Sequence, residues 1–395
     1  MQPAGRRTLA LSLLVALATL PDSMVPVALK SAVVDRWDIT LSGAHWFSAV
    51  ALFGAVAAVF LLRPMDRRWS PSRTIAIASV VNAITLCLLA SPVSFDVALG
   101  LRFVTGAMDM ITLAVLLGLL ESGDPARVGR RYGPASLAIM LGLAAGFVVG
   151  GLLASMLGVQ IFFVSAALSL LLAVAAGCSG GLLNDEFTVV TKSTVRVRYW
   201  PALVFSFTDR ALSAVVSITA SLYLIAEIGL EEHVVGATLG LVLLIIALGA
   251  WPAGILADRI GPLPVRIASV LLYAMAFALL AGAPWMGFSS IAACLVLLGI
   301  GGAGLAPSMY VLGARKGRGA LDMGGIHAAG SAGYLCGLLV AGVLLTLQGS
   351  FGQGGVFQVL FLGFATAYLL CNLPAIAAMA GWRVRRASVS SNDHR

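Results

Sequence analysis

The chain has 395 residues, of which 60% are apolar and 11% charged, and its mean hydropathy is +1.00. About a quarter of the residues in a soluble globular protein are charged, so the composition excludes that class. A net charge of +8 could suggest a nucleic-acid partner, but the basic residues are distributed as a lipid bilayer would require.

A helix that crosses a bilayer needs about 20 mostly apolar residues. Twelve such segments are predicted, near 8–29, 43–63, 73–91, 96–119, 133–155, 158–180, 201–226, 234–256, 264–282, 288–312, 322–346 and 355–380. The fold class expected is an all-α membrane protein of twelve transmembrane helices. The first segment follows Arg6 and Arg7 and runs through Pro21-Asp22 to Ala28 without a small-residue cleavage site, so it reads as a retained helix and not a signal peptide. A short basic turn with Asp66-Arg67 follows the second segment. The fourth carries Arg102 and Asp109, seven residues or two helical turns apart and hence on one face. The fifth carries Gly142, Gly146, Gly150 and Gly151, a spacing that lets helices approach closely.

A polar stretch, 182–199, follows the sixth segment and reads as a linker between an N-terminal half, 1–181, and a C-terminal half, 200–382. The seventh segment holds Asp209 and Arg210, and the eighth ends in Gly254, Asp258, Arg259 and Gly261. Asp22 precedes Asp66 by 44 residues, and Asp209 precedes Asp258 by 49, so the second half repeats the first in parallel. Parallel repeats place a binding site between halves near the membrane midplane. The Ser-rich basic tail, 383–395, is expected to be disordered.

Of the 25 Lys and Arg, 21 fall at the termini or in every second loop, among them Arg259 and Arg266. Positive loops stay cytoplasmic, so both termini are expected there. Trp37, Trp46 and Trp285 near outer loops, and Trp69, Trp200 and Trp382 near inner ones, fit aromatic belts. The five cysteines lie within spans and show no metal or disulfide spacing. Glu227, Glu231, Glu232 and His233 read as a solvated outer loop, and His327 with Asp322 as an interfacial or packed pair before a proton relay. The Gly299–Gly304 run matches a dinucleotide fingerprint in letters only, since no strand precedes it.

The run Gly254-Ile-Leu-Ala-Asp258-Arg259-Ile-Gly261 resembles the loop signature of the major facilitator superfamily, Gly-x-x-x-Asp-Arg-x-Gly-Arg-Arg. The first copy keeps Asp66-Arg67 but has Leu62 and Trp69 at the glycine positions. Arg102-Phe-Val-Thr-Gly106 resembles the Arg-x-x-x-Gly of the fourth helix. Gly142 to Gly151 resembles the antiporter signature, with Phe147 in place of its proline. The resemblance covers the whole chain and implies two six-helix bundles working by alternating access. It places Asp22, Arg102, Asp109 and Asp209 or Arg210 toward a central cavity as substrate and proton-coupling residues. It assigns gating to the loops with Asp66, Arg67, Gly254, Asp258, Arg259 and Gly261.

The branch most similar is that of drug:proton antiporters, which implies a monomer in a bacterial cytoplasmic (inner) membrane that exchanges a small organic solute for protons. No cofactor, metal or nucleic acid is expected. Uptake or facilitated transport of a metabolite is the nearest alternative. A receptor or assembly factor that has lost transport is another, disfavoured because charges kept inside a bilayer are costly. A membrane enzyme is disfavoured because no His-Glu-x-x-His or Gly-x-Ser-x-Gly occurs.

Overall fold

Helix starts are set by local chemistry. Thr40 caps one helix by accepting from the Gly43 N–H, and Pro71 and Pro262 each open another in the first turn, where a missing N–H costs nothing. The computed structural model describes residues 3–121, 128–183, 200–314, 320–347 and 353–392. Its long helices in the first half are α1 (Pro3–Leu29), α2 (Leu41–Arg68), α3 (Pro71–Ala90), α4 (Phe95–Glu121), α5 (Val128–Leu157) and α6 (Ile161–Cys178). Those in the second are α7 (Trp200–Ala214), α8 (Glu232–Ile260), α9 (Pro262–Leu279), α10 (Phe288–Ala303), α11 (Ala320–Thr346) and α12 (Gln353–Asn392). A π-helical stretch, Val215–Ala220, and a short helix, Ser221–Ala226, prolong α7, while Leu305–Ala314 prolongs α10. Among the described residues there is no strand, and eleven stretches are long and apolar enough to span a membrane. One of them, Leu137–Cys178, comprises most of α5 and all of α6, separated by a 3-10 turn at Gly158 with φ 52°.

Three features differ from the sequence reading. The basic tail expected to be disordered continues α12 as far as Asn392; after Gly381 no Gly or Pro interrupts it. Asp66-Arg67 and Asp258-Arg259 lie in the last turns of α2 and α8, not in the turns that follow. Arg266, taken for a loop residue, sits inside α9 and is fully buried.

The contacts divide the chain into two compact units that cut across the sequence halves. One unit holds 1–190 together with 215–247 and 338–350. Within it α1 lies against α5, α2 against α4, and α3 against both α4 and α6. The close approaches run through glycine. A Cβ on Gly142, Gly146 or Gly150 would strike the α1 backbone at Ala16, Leu20 or Met24, and one on Gly106 would strike Ala51 of α2. Gly151, turned away from α1, faces the Glu232 carbonyl and Gly236 of α8. Leu14, Val15, Ile75, Leu116 and Leu172 form an apolar core between α1, α3, α4 and α6.

The second unit holds 191–214, 248–337 and 351–395. Here α9 packs on α10 and α12, and α7 on α12. Gly333 and Gly337 of α11 meet the α7 backbone at Phe207 and Ala211. The α11–α7 approach thus repeats that of α5 on α1.

Candidate functional site

Among the described residues, charges inside the spans form three groups, each within one unit. In the first unit, α1 presents Asp22 and α4 presents Arg102. The guanidinium Nη2 donates to the Asp22 carboxylate at 2.8 Å and Nη1 to the Thr105 hydroxyl at 3.3 Å. The pair is unequal: the Arg102 side chain is 7% exposed and that of Asp22 is 55%. Phe47 of α2 lies 5.6 Å from the guanidinium carbon, and the buried Nε of Arg102 has no hydrogen-bond partner. A fixed cation, walled on one side and capped by an acid open to its surroundings, is an arrangement that protonation of the acid can release.

Asp109 shares the α4 face with Arg102 but bonds elsewhere. Asn82 of α3 donates its amide to the Asp109 carboxylate at 2.7 Å and approaches the Ser169 hydroxyl of α6 at 3.4 Å.

The third group is in the second unit. Arg266 of α9 grips Asp209 of α7 with two bonds of 2.7 Å. The Tyr368 hydroxyl adds a third bond to the acid at 2.8 Å, and Asn372 accepts from Arg266 at 2.8 Å while donating to Thr208. The Phe205 ring lies 4.2 Å from the Arg266 guanidinium carbon. Asp209 is thus consumed by a buried network, whereas Arg210, next in sequence, is exposed near the Tyr334 ring of α11 and makes no ion pair among the described residues.

The residues of the two loop signatures are placed by backbone only in part. Gly261 ends α8 with φ 94° and ψ 154°, a conformation essentially confined to glycine. At the matching place in the first copy, Trp69 is extended with φ −126°, so no glycine is needed there. Gly254 has Pro307 Cβ 3.8 Å from its would-be Cβ, an ordinary contact. Arg259 is exposed, while the side chains of Asp66, Arg67, Asp258, Asp322 and His327 lie outside what the structure describes, as do 184–199 of the linker.

Sequence reasoning passed over one further cluster, at the end of the first unit that carries the 30–40 turn. His45 is buried; its Nδ1 donates to the Leu41 carbonyl at 2.9 Å, leaving Nε2 to accept from the Thr219 hydroxyl at 2.8 Å. Ser42 donates to the Gly342 carbonyl, Ser221 to that of Pro26, and the Ser31 N–H donates to Glu232. Glu232, expected to be merely solvated, is therefore engaged. Together these bonds tie α1 and α2 to the π-helical stretch after α7, to α8 and to α11. A lone His and scattered Ser give no periodic signal, and the isolated Ser and Thr of a span are common enough to hide such a junction. Among the described residues no three His, Cys, Asp or Glu gather as a metal site would require.

Residues 11–186 and 199–395 match the sequence profile of the Major Facilitator Superfamily. The chain belongs to that family. No curated protein matches it. Several solved transporters share the fold. The nucleoside transporter NupG superposes with a TM-score of 0.72 at 15% identity, over 94% of this chain and 98% of that one. A bacterial homologue of the human lysosomal transporter Spinster, inward-facing and unoccupied, gives 0.72 at 13% identity, over 95% and 96%. A POT family transporter in complex with a thioalcohol-conjugated peptide gives 0.73 at 9% identity, over 95% and 96%. As a Major Facilitator Superfamily member, this chain is a secondary transporter embedded in a lipid bilayer, acting on a small-molecule solute, and is not an enzyme.

Proposed function

We propose that the protein exports a small organic solute in exchange for protons, by alternating access, with Asp22 and Arg102 as the coupling pair. The observation that carries this reading is the inequality of the pair: an open carboxylate on a buried guanidinium. Deprotonated Asp22, open on its outer side, accepts from donor groups that hold part of the solute; protonating it removes its charge and loosens that hold. Solute and proton thereby compete for one carboxylate, as exchange requires. Arg210, exposed on α7, is a cation available to an acidic or polar group.

Alternating access needs two states biased by ligand. With the basic termini cytoplasmic, as the charge distribution suggests, the end held by His45, Ser42 and Ser221 faces outward, and those bonds close it. Breaking them is then a step of the cycle. Export also agrees with the likeness of Gly142–Gly151 to the antiporter signature and, separately, with an acid on the first helix paired with an Arg on the fourth. One observation favours uptake instead: Phe147, buried, stands where that signature has proline.

The test uses purified protein in liposomes. A thermal-shift panel of metabolites and drugs first finds a ligand, since a ligand of the folded state raises its stability by mass action. Flux of that ligand is then followed under pH gradients of both signs. Export by exchange predicts solute movement opposite to the proton gradient; movement with it would assign uptake.

A further inference from the structure

Arg210 lies ten residues beyond Trp200, which heads the span Trp200–Ala226. At 1.5 Å per residue that is roughly 15 Å along the helix, about half of a hydrocarbon layer roughly 30 Å thick. An arginine held against acyl chains at that depth is costly, and such groups face the bundle interior or water. Each mid-span acid among the described residues is already engaged: Asp22 by Arg102, Asp109 by Asn82 and Asp209 by Arg266. The other two mid-span arginines, Arg102 and Arg266, are taken up in those pairs. Arg210 is exposed and makes no ion pair among the described residues.

Its stem is nonetheless seated. A Cβ on Gly330 of α11 would lie 3.1 Å from Arg210 Cγ and 2.8 Å from the Ser206 hydroxyl, so the missing side chain makes room for the stem to cross. One turn further along α11, the Tyr334 ring stands 6.0 Å from the guanidinium carbon. The helix surface and the ring thus support a head group whose countercharge is missing. A cation in an aqueous cleft with low-dielectric walls gathers anions. The planar fork of N–H donors matches the paired oxygens of a carboxylate or phosphate. We therefore propose that the solute is an organic anion whose carboxylate or phosphate docks on Arg210 beside Tyr334. This rests on the reading of the protein as a carrier of a small organic solute and names the class of that solute. It depends neither on the direction of transport nor on Asp22.

The experiment is a thermal-shift titration of the purified protein with organic carboxylates and phosphates. Each is paired with its own amide or dephosphorylated parent, and sodium chloride and sodium sulfate serve as inorganic arms. The stabilising compounds are expected to be acids, with their uncharged partners needing more than about tenfold higher concentration. Arg210→Gln should erase that preference, weakening the acid by more than about tenfold and its uncharged partner by less than about twofold. Arg210→Lys should keep the preference at lower affinity, since it retains the charge without the fork. Each acid is compared with its partner in the same variant, so a change in intrinsic stability does not alter the ratio. The class is overturned if no acid stabilises the protein, if uncharged or cationic compounds or sulfate alone do so as well, or if the preference survives Arg210→Gln. Liposome flux separates this outcome from that of export. An acid bound through Arg210 but moved with the proton gradient would keep the class and overturn export, and a cationic or neutral solute moved against it would do the reverse.

Discussion

Asp209 and Arg210 differ by one position, about 100° around a helix, and that rotation sends the acid into the network of Arg266, Tyr368 and Asn372 while the base stays open. Removing one partner of a buried ion pair strands the other charge, at a cost of about 3–5 kcal/mol. Asp209→Ala should therefore lower stability by about that amount, whereas Arg210→Ala, at an exposed position, should change it by less than about 0.5 kcal/mol. Denaturation in detergent compares the two. Equal stabilities would remove Asp209 from its structural role. The in-span acids were legible as exceptional from cost alone, but their partners were not. Arg266 follows Arg259 by seven residues and counts naturally with the loop charges, because the end of a span cannot be located to within a turn from hydropathy. Once α9 starts at Pro262, Arg266 is a full turn inside it.

At the scale of the helix, the glycines sort by what they touch. Gly142, Gly146 and Gly150 repeat every fourth residue and were readable as a packing face, and they are where α5 meets α1. Gly151 breaks that period and serves α8, a contact that no sequence spacing announces because its partner lies in the other half of the chain. The loop signature divides likewise. Gly261 holds a backbone conformation that other residues reach only at about 1–3 kcal/mol, and Gly254 does not face a close neighbour. Gly261→Ala should lower the unfolding free energy by that amount and Gly254→Ala should leave it within about 0.5 kcal/mol. A more damaging Gly254 change would show that the signature glycine acts through a contact absent from this state. Gly146→Val, which presses on Ser23 and the Leu20 carbonyl, should separate α1 from α5 and lower the yield of folded protein, read by size-exclusion chromatography.

For the molecule as a whole, the count of spans and the two-fold repeat followed from hydropathy and from paired acids, because bilayer thickness imposes segment length wherever a helix crosses. The repeat reappears in the packing, with α5 on α1 and α11 on α7, and with α3 on α6 and α9 on α12. What could not be read is the division of contacts, in which 215–247 and 338–350 join the first six helices. It depends on bonds such as His45 to Thr219 and Ser42 to the Gly342 carbonyl, whose partners are far apart in sequence and chemically ordinary. Topology remains a prediction of charge: a reporter fused after Arg395 should be cytoplasmic and one inserted within 349–355 external. A cytoplasmic signal from 349–355 would reverse the assignment of the His45 end.

The claim on which the rest turns is that Asp22, bonded to Arg102, couples solute to protons. Its most direct measurement is lumenal pH in liposomes loaded with pyranine, recorded as a solute found by thermal shift is added outside. Wild-type protein should change the lumenal pH in step with solute movement. Asp22→Asn, a neutral mimic of the protonated acid, should still exchange solute across the membrane yet leave the pH unchanged and fail to concentrate solute against a gradient. Solute-driven pH change of undiminished size in Asp22→Asn would contradict the account.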